Sequence, residues 1–311
     1  MYYPYFRGKQ YELVTIRERA ALMAENKFLP IIEPVKDNLS PLKRSIDELT
    51  KQEAKFILVV NPKFGDLKNN PTSLFKDLIN DSLKGYTHLM LGYIVDANSN
   101  LIDIKDFVDE YKDFSLALIH HGFPNGKDLK EATDKDNVKK HIFIDRLSGK
   151  LYQKHFKGCN RILIRDGFEK QKNADYPPSE HFSDLHITYD DEGMDGFGDF
   201  LIVGDDYMET GGPAYAVAIH LTYTDKEGDM FMRHFVSDRT NTPTDPAGKF
   251  FEALEKLKVE VEDSGSMIFK SSAVNEFLEL HKRGHFPGLG YVKKLSMIHH
   301  IELMADFMKR V

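Results

Sequence analysis

Residues 88–121, HLMLGYIVDANSNLIDIKDFVDEYKDFSLALIHH, contain the pattern that decides the fold. Two apolar runs of strand length, His88–Asp96 and Ser115–His120, flank a segment whose apolar residues have helical spacing, Leu101–Tyr111. Both runs are apolar at consecutive positions, which is typical of parallel strands that are covered on both faces. The stretch therefore predicts a strand, a crossover helix and a second strand parallel to the first.

The same alternation extends along the chain in both directions. Further strands are predicted at Phe28–Val35, Lys55–Asn61, His141–Asp145, Arg161–Asp166, Phe200–Tyr207 and Ala216–Tyr223, and helices at Gln10–Asn26, Pro41–Thr50, Pro71–Leu83 and Lys127–Asp134. Eight strands that alternate with helices predict an α/β fold, a parallel (β/α)8 TIM-like barrel, with an open doubly wound sheet as the alternative. We favour the barrel, and a single domain over residues 1–311, because strands continue without a domain boundary.

The second half of the chain is less regular. Residues 167–199 have little apolar periodicity and many Asp, Gly and Pro residues, which predicts a long loop. Asp229–Ser237 follows the turn sequence TDKEG, which predicts a β-hairpin that extends out of the barrel. Helices are predicted at Ala247–Leu257, Ser272–Lys282 and Tyr291–Val311.

The composition excludes several classes of protein. Hydrophobic residues make up 41% of the 311 residues and charged residues 29%, which is typical of a globular protein. The net charge of −7 and the scattered basic residues make nucleic acid an unlikely primary ligand. A single cysteine, Cys159, excludes an intramolecular disulfide and a cysteine-based zinc cluster. With no signal peptide and no long apolar run, we expect a cytosolic protein that does not enter a membrane.

Polar or ionisable residues follow the predicted strands, and the C-terminal strand ends of a barrel converge on one mouth where catalytic groups are found. Asp and Asn are also common after strands because they form turns and cap helices, and that alternative stays open. The candidate catalytic residues are Glu33, His120, Asp145 and Asp166, and the candidate substrate-binding residues are Lys63, Asp96, Arg146, Arg165, Asp205 and His220.

The residue types at these positions indicate the chemistry. Glu33 lies in an apolar strand before Pro34, where a carboxylate needs a partner or a metal. Asp145 and Asp166 stand beside arginines, a combination that binds a divalent metal and an anionic group such as phosphate, although internal salt bridges are the simpler interpretation. No motif such as H-E-x-x-H identifies a metal. His120 and His121 should point in opposite directions, one to the mouth and one to a helix.

Two glycine-rich stretches, Gly193–Asp199 and Gly204–Ala214, resemble the phosphate-binding loops of barrel enzymes. Neither matches a P-loop or a dinucleotide-binding fingerprint, and sharp turns are the alternative explanation. Four aromatic residues in the first six predict that the N-terminal segment packs at the bottom of the barrel or lines an interface.

Three stretches, MYYPYFRGKQYEL (1–13), GFGDF (196–200) and GGPAYAVAIHLTY (211–223), resemble the bacterial and phage "beta protein" family. The similarity runs over the whole length. Members of that family are encoded in mobile or defence-associated neighbourhoods, sometimes beside nuclease-like genes. The resemblance implies a role in conflict with phage and a protein partner from a defence operon. It implies no catalytic residues.

Two functions are consistent with the sequence. The first is a barrel enzyme, such as a hydrolase, that acts on a phosphorylated or otherwise anionic substrate, a nucleotide among them. The second is a non-catalytic binding or sensor protein that recruits a partner such as a nuclease. An enzyme should place Glu33, Asp145 and Asp166 within about 10 Å of one another around an accessible pocket.

Overall fold

The computed structural model describes residues 1–68, 75–76, 78–79, 83, 85–209 and 211–310. These residues form two compact units. The barrel unit comprises Met1–Arg165 and Thr188–Asp199, and the second unit comprises Asp166–Ile187 and the residues from Phe200 onward.

The strands are β1 (Tyr2–Phe6), β2 (Ile31–Ile32), β3 (Phe56–Val59), β4 (Leu89–Asp96), β5 (Ser115–His121), β6 (Val138–Ile144), β7 (Arg161–Ile164), β8 (Ser179–Ser183), β9 (Gly196–Asp199), β10 (Ala218–Thr224) and β11 (Met230–Val236). The α-helices are α1 (Gln10–Glu25), α2 (Ser40–Lys51), α3 (Leu101–Glu110), α4 (Gly126–Ala132), α5 (Lys150–Lys154), α6 (Leu185–Thr188), α7 (Pro246–Glu262), α8 (Ser272–Arg283) and α9 (Leu289–Arg310). Short 3-10 helices occur at Gly65–Leu67, Asp145–Leu147 and Asn173–Asp175.

A closed barrel of parallel strands in the order β1-β2-β3-β4-β5-β6-β7-β9 confirms the predicted TIM-like fold. The apolar runs from Phe28 to Asp166 supply β2 to β7, and their side chains are buried. The remaining two predicted strands do not complete the barrel. Residues 200–207 form turns, and the segment predicted at 216–223 overlaps β10, which belongs to another sheet.

The N-terminal segment supplies one of the two missing barrel strands. It does not cover the bottom of the barrel, because β1 pairs with β2 on one side and with β9 on the other. All five of its residues are buried, and the Tyr2 hydroxyl donates a hydrogen bond to Asp199 Oδ1 at 2.8 Å. Pro4 argues against a central strand because proline has no N–H, so the sequence pattern obscured this element.

The second missing strand, β9, consists of Gly-Phe-Gly-Asp. A Cβ atom at Gly198 would lie 2.0 Å from the Tyr3 carbonyl oxygen and 2.6 Å from Ile164 Cδ1. Glycine is therefore required here by the close approach of β1 and β7, which replaces the interpretation of residues 196–199 as a phosphate-binding loop or a sharp turn.

The second unit contains an antiparallel sheet in the order β10-β11-β8. The predicted hairpin is confirmed, with Thr224 opposite Met230, but it is not an extension of a barrel strand. Residues 167–199 are not one long loop, since they include β8, α6 and β9. The apolar core of this unit joins the sheet to α7, α8 and α9, and includes Ile219, Leu221, Phe250, Leu257, Phe277 and Ile298.

The predicted helices at 10–26, 41–50, 101–111, 127–134, 247–257 and 272–282 correspond to α1 to α4, α7 and α8, and α9 accounts for the last one up to Arg310. The helix predicted at 71–83 falls mostly outside the described residues. In the described part of the chain, no helix is long and apolar enough to cross a membrane.

Candidate functional site at the barrel mouth

The C-terminal ends of the barrel strands meet at one rim because the strands are parallel and the barrel is closed. Ionisable residues end or directly follow most of these strands, namely Arg7, Glu33, Asp96, His121, Asp145, Arg165 and Asp199. Asp199 accepts the hydrogen bond from Tyr2 described above. The others belong to three groups of contacting side chains, and one of these groups combines an accessible ammonium group with an imidazole.

The first group is centred on Glu33, whose side chain is only 1% exposed. Its Oε2 accepts a hydrogen bond from the Tyr5 hydroxyl at 2.9 Å, and its Oε1 accepts one from the Lys63 backbone N–H at 2.8 Å. Arg7 Nε lies 3.7 Å from Oε2. Both carboxylate oxygens therefore have protein partners, and Glu33 is a positioning residue that fixes the loop after β3.

Arg7 was not among the predicted site residues, because β1 was not recognised as a strand. Its guanidinium lies over the Phe64 ring at 4.4 Å from the centroid, and its backbone N–H donates to Glu12 Oε2 at 2.5 Å. The segments that follow β1, β2 and β3 are thereby joined through one arginine. A planar guanidinium suits this combination of stacking and ion pairing.

The second group consists of Lys63, Asp96 and His121. Lys63 Nζ donates a hydrogen bond to Asp96 Oδ2 at 3.0 Å and lies 3.1 Å from His121 Nδ1. The lysine and aspartate side chains are 29% and 19% exposed, so solvent reaches both. Burial alone would raise the pKa of Asp96, but hydrogen bonds from the Lys63 ammonium, the Asn98 N–H and the Ser99 hydroxyl outweigh it and lower that pKa.

The hydrogen bond between Lys63 and His121 defines the state of the imidazole. An ammonium group donates and cannot accept, so His121 Nδ1 must be the acceptor. In this geometry the ring is neutral and its proton is on Nε2. The group therefore holds a partly exposed cation between two acceptors, the Asp96 carboxylate and the His121 imidazole.

The third group surrounds Arg165. Its Nε donates to Asp145 Oδ2 at 2.7 Å, and its second guanidinium nitrogen donates to Glu192 Oε1 at 2.5 Å. Burial alone would lower the pKa of Arg165, but these two carboxylates outweigh it and raise that pKa. Lys150 also pairs with Glu192. The salt-bridge interpretation of Asp145 is therefore the one that these contacts favour, and Arg146 beside it is exposed.

Glu33 and Asp145 follow strands on opposite sides of the barrel, since three strands separate β2 from β6 in either direction. Asp166 belongs to the second unit, where Oδ1 accepts from the Phe168 N–H at 3.0 Å and Oδ2 from the Asp205 N–H at 2.7 Å. Asp166 thus closes a local turn at Phe168 and also binds the backbone at Asp205. Glu33 and Asp145 belong to different side-chain networks of the barrel unit, so these two carboxylates do not share the pocket expected of an enzyme.

His120 and His121 point in opposite directions, as the strand pattern predicts. His120 is fully buried, with Nδ1 2.7 Å from the Tyr152 hydroxyl and Nε2 3.0 Å from His141 Nδ1. It stacks on Phe143, and burial followed by the neighbouring His141 lowers its pKa well below the usual value. The structure therefore places His121, and not His120, at the mouth.

The buried histidines predict a specific acid sensitivity. Burial, followed by the Lys130 ammonium, lowers the pKa of His141 to about 4, whereas an unfolded histidine titrates near 6.5. As the pH falls through this interval the unfolded chain binds a proton that the folded chain does not, so the folded state loses about 2–3 kcal/mol through this residue. We expect the free energy of unfolding, measured with urea, to fall less between neutral pH and about pH 4.5 in His141→Gln than in the wild type. Equal pH slopes would contradict the assignment.

His220, the remaining candidate, lies in the second unit with Nδ1 2.7 Å from His234 Nδ1. Burial, followed by His234, lowers its pKa well below the usual value. Its ring contacts the Tyr176 ring, and the two histidines form a partly buried polar pair within the sheet. β10, which carries His220, is not a barrel strand.

No cluster of three or more His, Cys, Asp or Glu side chains with the geometry of a metal site occurs among the described residues. Comparison with models of known protein families gives no match, and comparison with curated proteins gives none either. The side-chain contacts at the barrel mouth are therefore the basis on which a function can be inferred.

Proposed function

We propose that the mouth of the barrel binds a small anionic substrate, such as a phosphate ester or a carboxylate, and that the protein is an enzyme acting on it. The observation that supports this proposal is the partly exposed Lys63 ammonium, held 3.0 Å from Asp96 and 3.1 Å from His121. Asp96 and His121 end neighbouring strands of the rim.

The arrangement suits an anion because Lys63 has a donor to spare. Its three N–H groups serve two acceptors, Asp96 and His121, within the part of the chain that the structure describes. The third N–H is available to an oxygen of a ligand. A hydrogen bond between two charged groups is stronger than one between neutral groups, which favours an anionic ligand over a neutral one.

The same three residues provide a route for a proton. His121 Nε2–H would donate to a substrate oxygen while Nδ1 takes a proton from the Lys63 ammonium, which becomes a neutral amine. Asp96 accepts a hydrogen bond from Lys63 and so holds the lysine side chain beside the imidazole. Proton transfer by a positioned side chain contributes typically about 10²–10⁴-fold to a rate.

The test is a panel of phosphorylated and carboxylated small molecules, nucleotides included, whose binding is measured as an increase in Tm. A ligand at about one hundred times its Kd stabilises the folded state by about 2.7 kcal/mol. We expect Lys63→Gln to weaken binding about 10-fold to 100-fold, because it removes a charged hydrogen bond.

The matched control is Lys105→Gln, which removes one positive charge from an exposed position on α3. It should leave the affinity unchanged. Equal losses in the two variants would contradict the proposal, because they would show that only the overall charge of the protein matters.

Turnover separates the enzyme from the alternative, a non-catalytic binding or sensor protein. Product formation from a bound compound, followed by NMR, supports the enzyme, and binding without turnover supports the sensor. The resemblance to the "beta protein" family adds a role in phage defence and a protein partner to this proposal, and three stretches of sequence are its only support. A cytosolic location stays an expectation from the sequence composition. A divalent metal at the mouth stays a prediction.

A further inference from the structure

A cavity of about 350 Å³ lies in the barrel unit, and its lining does not include Lys63, Asp96 or His121. Its walls come from the segments that follow β1 and β2 and from the helices α1 and α2. The volume falls within the range of small-molecule sites, which begins at about 300 Å³. A cavity of this size can enclose a compact organic ligand.

Two arginines from different helices line this cavity. Arg17 belongs to α1 and is half-buried, and Arg44 belongs to α2 and is exposed. Neither makes a hydrogen bond or an ion pair with any other described residue, in contrast to Arg165 at the mouth. Lys36 also lines the cavity, but its ammonium is paired with Asp66 at 3.4 Å. Asp37 adds one negative charge, so the two arginines leave an excess of one positive charge.

The rest of the lining is mainly apolar. Leu13 and Val14 of α1 face the same space as Pro34, Val35 and Leu42. Removing this apolar surface from water is favourable, so apolar atoms of a ligand that cover it would contribute to binding. The cavity therefore fits a molecule that has an anionic group at one end and an apolar body at the other.

The loop after β2, which forms one wall, is held in place by the backbone of the segment after β3. The Asp66 N–H donates to the Val35 carbonyl oxygen at 2.8 Å. Gly65 has φ +71°, and a Cβ atom there would lie 2.1 Å from that same oxygen, so only glycine permits this approach. A wall that is already formed reduces the cost of ordering on binding.

From the charge, the unpaired arginines and the apolar wall, we propose that this cavity is a second binding site, and that its ligand is a phosphate monoester of a compact apolar or aromatic group. Arg17 and Arg44 bind the phosphate oxygens through their guanidinium N–H groups. The apolar body covers Leu13, Val14 and Pro34. The site is independent of the proposed chemistry at the mouth.

The experiment measures binding of phenyl phosphate by calorimetry in the full-length Lys63→Gln variant, in which the mouth is weakened. An eleven-atom ligand of ordinary efficiency should bind with a Kd of about 1 mM or tighter. Arg17→Gln and Arg44→Gln should each weaken binding about 10-fold, since each removes a charged hydrogen bond. Both positions are accessible to solvent, so the variants are expected to fold.

Lys43→Gln is the matched control, because Lys43 is exposed on the same helix as Arg44 but does not line the cavity. It should leave the affinity unchanged. Inorganic phosphate and phenol, each half of the probe, should bind at least about 10-fold more weakly than phenyl phosphate. The proposal is overturned by an absence of saturable binding up to about 10 mM, by an equal loss in Lys43→Gln, or by phosphate binding as tightly as phenyl phosphate. Because the mouth is already impaired in every sample, these results say nothing against the chemistry at Lys63.

Discussion

Replacing Gly198 with alanine is expected to lower the free energy of unfolding by about 3 kcal/mol or more, the upper end of overpacking effects. The added Cβ would lie 2.0 Å from the Tyr3 carbonyl oxygen, which is backbone and cannot rotate away. It would also meet Ile164 Cδ1 at 2.6 Å. Since Gly198 pairs with Tyr3 of β1 and Ile164 of β7, the alanine opens the barrel where β9 closes it. Urea unfolding followed by circular dichroism measures the change.

Gly149→Ala is the control for that experiment. Gly149 has φ −64°, and a Cβ atom there would meet nothing within 4 Å. As the residue before α5 it tolerates alanine at a cost of no more than about 1 kcal/mol. Similar losses for the two variants would show that β9 does not approach its neighbours as closely as the structure indicates.

Removal of the Glu33 carboxylate has the second large expected effect. Glu33→Ala should lower the free energy of unfolding by about 3–5 kcal/mol, because it leaves the buried Arg7 guanidinium without its carboxylate partner and removes the acceptor of the Tyr5 hydroxyl. The Lys63 backbone N–H loses its acceptor as well, so the loop after β3 loses its anchor. Urea unfolding measures the change in stability. The affinity for a ligand at the mouth shows whether the loop after β3 keeps its position.

Glu131→Ala provides the comparison, because Glu131 is an exposed residue of α4 with no role in the barrel rim. Its loss should change stability by no more than about 0.5 kcal/mol. Glu33→Gln should give an intermediate loss, since the amide keeps the shape but not the charge. If Glu33→Ala were as stable as Glu131→Ala, the buried network would have no energetic importance.

The strands that could be predicted are those that contain a continuous run of apolar residues. The segments that form β3 to β7 are short, apolar at consecutive positions and separated by amphipathic helices. Consecutive apolar residues predict that a strand is buried on both of its faces. β1 contains Pro4, and β9 has two glycines in four residues. Their place in the barrel depends on close packing between them, which no local property of either segment reveals.

The site could be predicted only in part, because its residues were found only where the strand before them was recognised. Lys63 and Asp96 are predictable because they follow or end recognised strands. The alternation along β5 predicts that one of His120 and His121 faces the mouth, and the choice of His120 as the catalytic candidate is not supported, since it is His121 that contacts Lys63. Arg7 could have been found by extending the strand assignment to residues 2–6, since it then follows a strand end as the others do. Glu192 lies in an irregular segment, and its contact with Arg165 depends on tertiary structure alone.

Asp166 illustrates the limit of reasoning from strand ends. It is the second residue after β7, yet both of its oxygens accept backbone N–H groups of the second unit. The contact with the Phe168 N–H is the turn-forming role that aspartate commonly has after strands. A carboxylate at a strand end can therefore serve a loop as well as a site. Only the partners of its oxygens distinguish the two roles.

The central claim is that Lys63, Asp96 and His121 form an anion-binding site at the barrel mouth. The most direct measurement is a crystal of the full-length protein soaked in tungstate, a phosphate-like oxyanion that is located by its anomalous scattering. We expect a peak with oxygens within hydrogen-bonding distance of Lys63 Nζ and His121 Nε2, and no peak there in crystals of Lys63→Gln. A wild-type map with tungstate bound elsewhere and none beside Lys63, at a concentration that saturates the crystal, would contradict the account.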